Sequence, residues 1–99
     1  MELYIDTRDN TKTIVGLDGK ILKKATGAKK SQQVLALIDQ ILKNNNKTIK
    51  DITKIKVETG PGSFTGLKVG ISVANALSWA LKIPINGNKV GKLVEPKYD

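Results

Sequence analysis

The chain contains no cysteine and no histidine. Without cysteine it can form neither a disulfide nor a cysteine zinc site, which fits a reducing compartment. Without histidine, serine–histidine catalysis and histidine metal ligation are excluded within the chain. Arginine is nearly absent too, with Arg8 the single one among 17 basic residues. No apolar run approaches the length of a membrane span. Met1 to Asn10 is polar and has no apolar segment of the kind a signal peptide needs. These absences point to a cytoplasmic protein with no membrane contact.

With 99 residues, the chain is long enough for one small domain with one core. Its formal net charge of +8 is what a nucleic-acid surface or an acidic partner would call for. The charge is almost all lysine, however, spread along the chain and accompanied by abundant asparagine and isoleucine. An AT-rich genome gives the same pattern by codon composition, and specific phosphate and base readers favour arginine. Any RNA contact is therefore expected to act in concert with a partner.

The pattern opens with an alternating strand over Glu2 to Thr7, a polar turn at Arg8 to Asn10 and a second strand over Thr11 to Leu17. Asp18-Gly19 is a two-residue hairpin signal leading to a third strand over Lys20 to Thr26. After a linker at Gly27 to Lys30, Ser31 is placed to cap a helix running to Lys43. Val34, Leu35, Ile38, Ile41 and Leu42 follow the spacing of one buried face, with Leu37 to the side. Ile49 and Ile52 lie in a short segment, one helical turn at most, before the fourth strand at Lys54.

Thr59 to Lys82 (TGPGSFTGLKVGISVANALSWALK) organises the rest. Gly60, Pro61 and Gly62 stop the fourth strand, and Ser63 or Thr65 can cap the helix that follows. Gly66, Gly70, Ala74 and Ser78 form a row of small residues that lets another backbone approach closely. Lys68, Ser72, Asn75, Trp79 and Lys82 share a narrow polar stripe, and the remaining arc is apolar and wide. Two readings follow. One is a core helix with a stray tryptophan; the other is a helix packed on its own sheet and against a partner, with Trp79 in or beside the contact. Ile83 to Ile85 suggest a short fifth strand, and residues 89–99 a loosely held basic tail.

The order is therefore βββαβαβ, an α/β domain over residues 1–88 with a mixed five-stranded sheet. Right-handed crossovers place both helices on one face. The first and fourth strands are apolar on one side only, so the other sheet face should be wet.

The glycine loop is not a Walker A motif, because its spacing fails and no lysine directly follows Gly66. A helix start with free N–H groups could still attract an anion. The simpler reading is a structural turn, with Phe64 plugged into the core. Asp6 and Asp9 supply too few ligands for two-metal phosphoryl chemistry. No catalytic, cofactor or metal residue is assigned.

The order βββαβαβ matches half of a ribonuclease-H-like domain of the actin/Hsp70/sugar-kinase superfamily. The stretch Gly60, Pro61, Gly62, Ser63, Phe64, Thr65, Gly66, with the helix and Ile83-Pro84 after it, closely resembles the hallmark of the TsaB (YeaZ) family. Ile5-Asp6-Thr7 fits that family's first strand. The resemblance implies a non-catalytic scaffold subunit, with no cofactor, supporting threonylcarbamoylation of adenosine 37 in tRNA (t6A synthesis). It implies pairing with a TsaD-type transferase, a possible TsaE-type ATPase, possible self-dimerisation, and tRNA contact only through the complex. The implied interface is the helix pair, with Val34, Ile38, Leu67, Gly70, Ile71, Ala74, Ser78 and Trp79.

Members of that family usually carry a second domain after this one, which this chain is expected to do without. The chain has Lys30-Ser31 where His-Ser is common, and no glycine in the first turn from Asp6 to Thr11. The polar second face predicts a naturally short gene product, and the first turn predicts weak or no nucleotide binding. A small nucleotide-binding domain and a basic RNA-binding module remain as alternative functions.

Overall fold

Side-chain alternation decides which way the sheet faces. The computed structural model describes residues 1–25 and 30–97. Strands β1 (Glu2–Asp6), β2 (Lys12–Leu17), β3 (Lys20–Ala25) and β4 (Lys54–Val57) form one sheet in the order β3-β2-β1-β4. β1 runs antiparallel to β2, with Leu3 opposite Leu17, and parallel to β4, with Leu3 opposite Ile55 and Ile5 opposite Val57. This register puts Leu3, Ile5, Val15, Leu17, Ile55 and Val57 on one face, each no more than 2% exposed. Asp18 and Gly19 both have positive φ, as the tight hairpin between β2 and β3 requires.

A parallel β1–β4 pair needs a crossover, and helix α1 (Lys30–Asn44) supplies it. A single turn of 3-10 helix, Ile49–Asp51, precedes β4, and helix α2 (Phe64–Leu81) follows it. α1 buries Val34, Leu37, Ile38, Ile41 and Leu42, and α2 buries Leu67, Ile71 and Ala74, all in one core with the apolar sheet face. Both helices thus lie on one side, as expected. The opposite face keeps Tyr4 and Ile14 half-buried and Lys54 and Lys56 exposed. The outer strand β3 carries Lys20, Lys23 and Lys24 in the open, a charged edge that discourages further strand pairing.

Among the described residues there are four strands where five were expected. Ile85 makes one parallel bridge to Ile55 and no more. Asn86 turns left-handed at φ 51°. Its side chain accepts from the Val57 N–H at 2.8 Å and donates to the Val57 carbonyl at 3.0 Å. The amide takes the next position of the ladder, so the backbone cannot continue it.

Two more expectations change. α1 already includes Lys30, so Ser31 lies inside its first turn rather than capping it. The end of the third strand at Thr26 and the linker at Gly27 to Lys30, save Lys30 itself, lie outside the described residues. The tail, expected to be loosely held, is bonded back to the domain at two points, Val94 and Lys97. Asn75 on α2 accepts from the Val94 N–H and donates to the Val94 carbonyl, both at 3.0 Å. The Lys97 N–H donates to the Thr59 carbonyl at 2.6 Å. A side-chain amide here stands in for a strand partner and binds the tail back along α2.

Candidate functional site: the glycine loop and the outer helical face

The loop after β4 is clasped to the turn after β1. Gly62 lies so close to Arg8 that a β-carbon there would stand 2.9 Å from the Arg8 carbonyl. The Ser63 N–H donates to that same carbonyl at 2.9 Å. The Ser63 hydroxyl donates to Asn10 at 2.6 Å and accepts from the Gly66 N–H at 3.3 Å, which makes Ser63 the helix cap. Gly60 has φ +118°, and a β-carbon on it would run into the Lys97 carbonyl. The loop therefore needs its glycines for close backbone approach on both flanks.

Phe64 is not the expected core plug. It is 57% exposed, with the Lys68 ammonium 4.9 Å from its ring centre, a cation–π contact. The helix turns at Ser63 and carries Phe64 outward while Leu67 goes in.

The row Gly66, Gly70, Ala74 and Ser78 does allow close approach, but to the chain's own backbone, at Thr7 just after β1 and at Ile83 after α2. The Thr7 hydroxyl donates to the Gly66 carbonyl at 2.6 Å. It occupies the place a Gly70 β-carbon would take. Ser78 donates to the Ile83 carbonyl at 2.7 Å. Seven of the eight residues expected at a partner interface are thus internal: Val34, Ile38, Leu67, Gly70, Ile71, Ala74 and Ser78 are all buried within the chain. Trp79 alone is exposed, on the side where the tail runs.

The free surface of the helix pair is a different set. Val69, Val73, Ala76 and Ala80 fall on one side of α2 at helical spacing; the valines are half-buried and the alanines exposed. On α1, Leu35 is 52% exposed. Between the helices, Leu35, Ile38, Leu42, Ile49 and Leu77 line a groove of about 410 Å³ edged by Lys43 and Lys47. The α2 positions are small or apolar, and of that helix Leu77 reaches the groove, whose rim also holds Asp39 and Thr48.

The polar end of the sheet is self-paired. Arg8 donates to both carboxylate oxygens of Asp6, at 3.1 and 3.0 Å, and its backbone N–H adds a third bond at 3.0 Å. Tyr4 donates to Glu58 at 2.7 Å and to Asp6 at 3.3 Å. Burial pushes the Asp6 carboxyl up, but the Arg8 hydrogen bonds and charge outweigh it and hold its pKa below the usual value. Burial and then the bond to Glu58 raise the Tyr4 phenol. Lys30 donates to the Asp9 carbonyl at 2.9 Å, and burial lowers its pKa against the pull of Asp9 and Asp6. An open cavity of about 550 Å³ lies beside this cluster, lined by Asp6, Arg8, Asp9, Lys12, Ile14, Pro61 and Gly62. Among the described residues, no three His, Cys, Asp or Glu side chains converge to hold a metal. None of their helices is long and apolar enough to cross a membrane.

Residues 9–88 match the family described as TsaD, tRNA N6-adenosine threonylcarbamoyltransferase. The chain belongs to this family. Similarity to one TsaB protein runs along nearly the whole chain. The tRNA threonylcarbamoyladenosine biosynthesis protein TsaB of Bacillus subtilis (strain 168) is 34% identical over 98% of this chain and 49% of its own length. The tRNA N6-adenosine threonylcarbamoyltransferase of Persephonella marina (strain DSM 14350 / EX-H1) is 38% identical, over 56% of this chain and 16% of its own length. The chain spans about half of the Bacillus TsaB and less of the transferase. In fold it resembles YeaZ from Pseudomonas aeruginosa, with a TM-score of 0.73 at 23% identity, covering 89% of this chain and 43% of that one. The TsaB resemblance carried by the glycine loop therefore holds along the chain.

Sequence reasoning missed Thr7, the residue that seats α2 on the sheet, and Asn75, which holds the tail. Thr7 carried a weak signal as a polar residue in phase with Leu3 and Ile5. Tyr4 and Glu58 meet across 54 positions and carried none.

Proposed function

We propose that this TsaB-family chain is a non-catalytic subunit of a t6A-synthesising complex, pairing with a TsaD-type transferase through the outer face of α1 and α2. The observation that carries this reading is the outer face of the two helices, where Leu35, Ala76 and Ala80 are exposed and Val69, Val73 and Leu77 half-buried. Its alanines and valines admit a second helix pair at short range. The resemblance to TsaB proteins supplies the pathway, and the family match to TsaD supplies a partner of similar fold. The same face would serve a self-dimer in isolation. A TsaE-type ATPase and tRNA would join through the transferase, in the cytoplasm.

The absence of catalysis in this chain is supported by the commitment of its sheet-end carboxylates. Asp6 is tied to Arg8 and Glu58 to Tyr4, so neither is poised as a general base. We read the fold as half of a ribonuclease-H-like unit, which the likeness to YeaZ supports. Co-sedimentation with a TsaD-type subunit tests the pairing. A wild-type chain that forms no complex at high concentration contradicts it.

A further inference from the structure

Trp79 is 69% open to solvent, and it is the only tryptophan in the chain. It lies on the tail side of α2, off the Val69–Ala80 face. With Ser78, Lys82, Val90 and Gly91 it lines a shallow cavity of about 200 Å³. That is smaller than the roughly 300–1,000 Å³ of sites for drug-sized ligands, and gives room for one planar ring system. The Lys92 N–H donates to the Lys89 carbonyl at 3.0 Å, closing a turn with Val90 and Gly91 at its tip and a lysine at each end. Lys82 stands at the C-terminal cap of α2, one helical turn from Trp79. Among the described residues, no carboxylate makes an ion pair with Lys82, Lys89 or Lys92.

Lys82 lines the cavity with Trp79, and Lys89 and Lys92 flank the Val90–Gly91 turn that forms its other wall. Burial of these ammonium groups in an apolar protein interface would desolvate them without compensation. The arrangement suits a single strand of RNA, in which a base stacks on the ring and phosphates meet the lysines. We propose that Trp79, with Lys82, Lys89 and Lys92, is a contact site for an unpaired stretch of RNA. This rests on the t6A reading and goes beyond it, because that reading brings tRNA to the transferase and not to this chain.

With a single tryptophan, intrinsic emission reports on Trp79 alone. Titrating the full chain with a short unstructured oligoribonucleotide at low salt should quench that emission to saturation. By anisotropy of a labelled copy of the RNA, Trp79→Ala should bind roughly tenfold more weakly. Replacing Lys82, Lys89 and Lys92 together by alanine should flatten the dependence of log K on log salt by about 2, at roughly 0.7 for each phosphate no longer neutralised. Heparin, which has charge but no bases, should bind without quenching. The proposal is overturned by an absence of quenching with RNA or by equal quenching with heparin. It is equally overturned by emission that shifts with protein concentration alone, which would mean that a second copy covers Trp79. The same preparations are mixed with a TsaD-type subunit. Capture of that subunit without quenching defeats this proposal alone, while failure of both defeats the t6A reading as well.

Discussion

The Thr7 hydroxyl stands where a β-carbon of Gly70 would be, and it donates to the Gly66 carbonyl one turn earlier at 2.6 Å. β1 and α2 are locked together at this point, and the glycine is there to admit the threonine. Gly70→Ala should gain about 1 kcal/mol in helix propensity and lose about 1–3 kcal/mol to overpacking, for a net loss. Thr7→Ala removes the hydroxyl and the methyl but leaves the β-carbon, 3.2 Å from the added one. The double variant should therefore be more stable than the sum of the single changes. Urea unfolding of the four proteins checks this, and strict additivity would contradict the contact.

The Asp6–Arg8 pair gives an acid limb to stability. Asp6 has a folded pKa below its unfolded value of about 3.9, so its contribution is present above that pH and is lost as pH falls through the folded value. Because Arg8 is partly open to solvent, Asp6→Asn should cost only about 1 kcal/mol at neutral pH. The test is unfolding free energy against pH: the variant should lose less stability than the wild type on acidification. Parallel curves would show that Asp6 does not titrate with folding.

Tyr4 acts at the other end of the scale. Its phenol is raised above the ordinary value of about 10, so its contribution is present below that pH and fades as pH rises through the raised value. Spectrophotometric titration should show one tyrosine ionising late. Tyr4→Phe should abolish that late step; a late step that survives belongs to another group.

Nucleotide should bind weakly or not at all. The turn after β1 has no glycine, Arg8 is bonded to Asp6, and Gly62 and Ser63 are already closed on the Arg8 backbone. Calorimetry with ATP should give no heat of binding in the low micromolar range. A dissociation constant in that range would return the nucleotide-binding alternative to first place.

How much could be read in advance depended on the range of the determining contact. The alternation of Leu3 with Ile5 and of Ile55 with Val57 fixed the apolar sheet face, and Asp18-Gly19 fixed the hairpin, because both signals are local. The small-residue row on α2 was visible, but its direction was not: only Thr7, 63 positions before Gly70, shows that it faces the sheet (70 − 7). Ile71 was accordingly misplaced at a partner surface, although it is 4% exposed. The fifth strand gave way to Asn86 and the loose tail to Asn75. In each case a side-chain amide replaces a backbone partner, which hydrophobic periodicity does not register. Leu35 has the spacing of the buried face of α1, and its exposure is what the outer groove makes visible.

The pairing of the outer helical face is tested most directly by sedimentation velocity of this chain mixed with a TsaD-type subunit. Three forms serve: wild type, Ala76→Arg and Lys23→Glu. Ala76 is exposed on the proposed face, so an arginine there should leave the fold intact by circular dichroism yet place an unpaired charge in the contact. Lys23 lies on the outer strand, away from that face. The account predicts one complex with wild type and Lys23→Glu, and affinity at least tenfold lower with Ala76→Arg. A complex untouched by Ala76→Arg, or no complex with wild type, would contradict it.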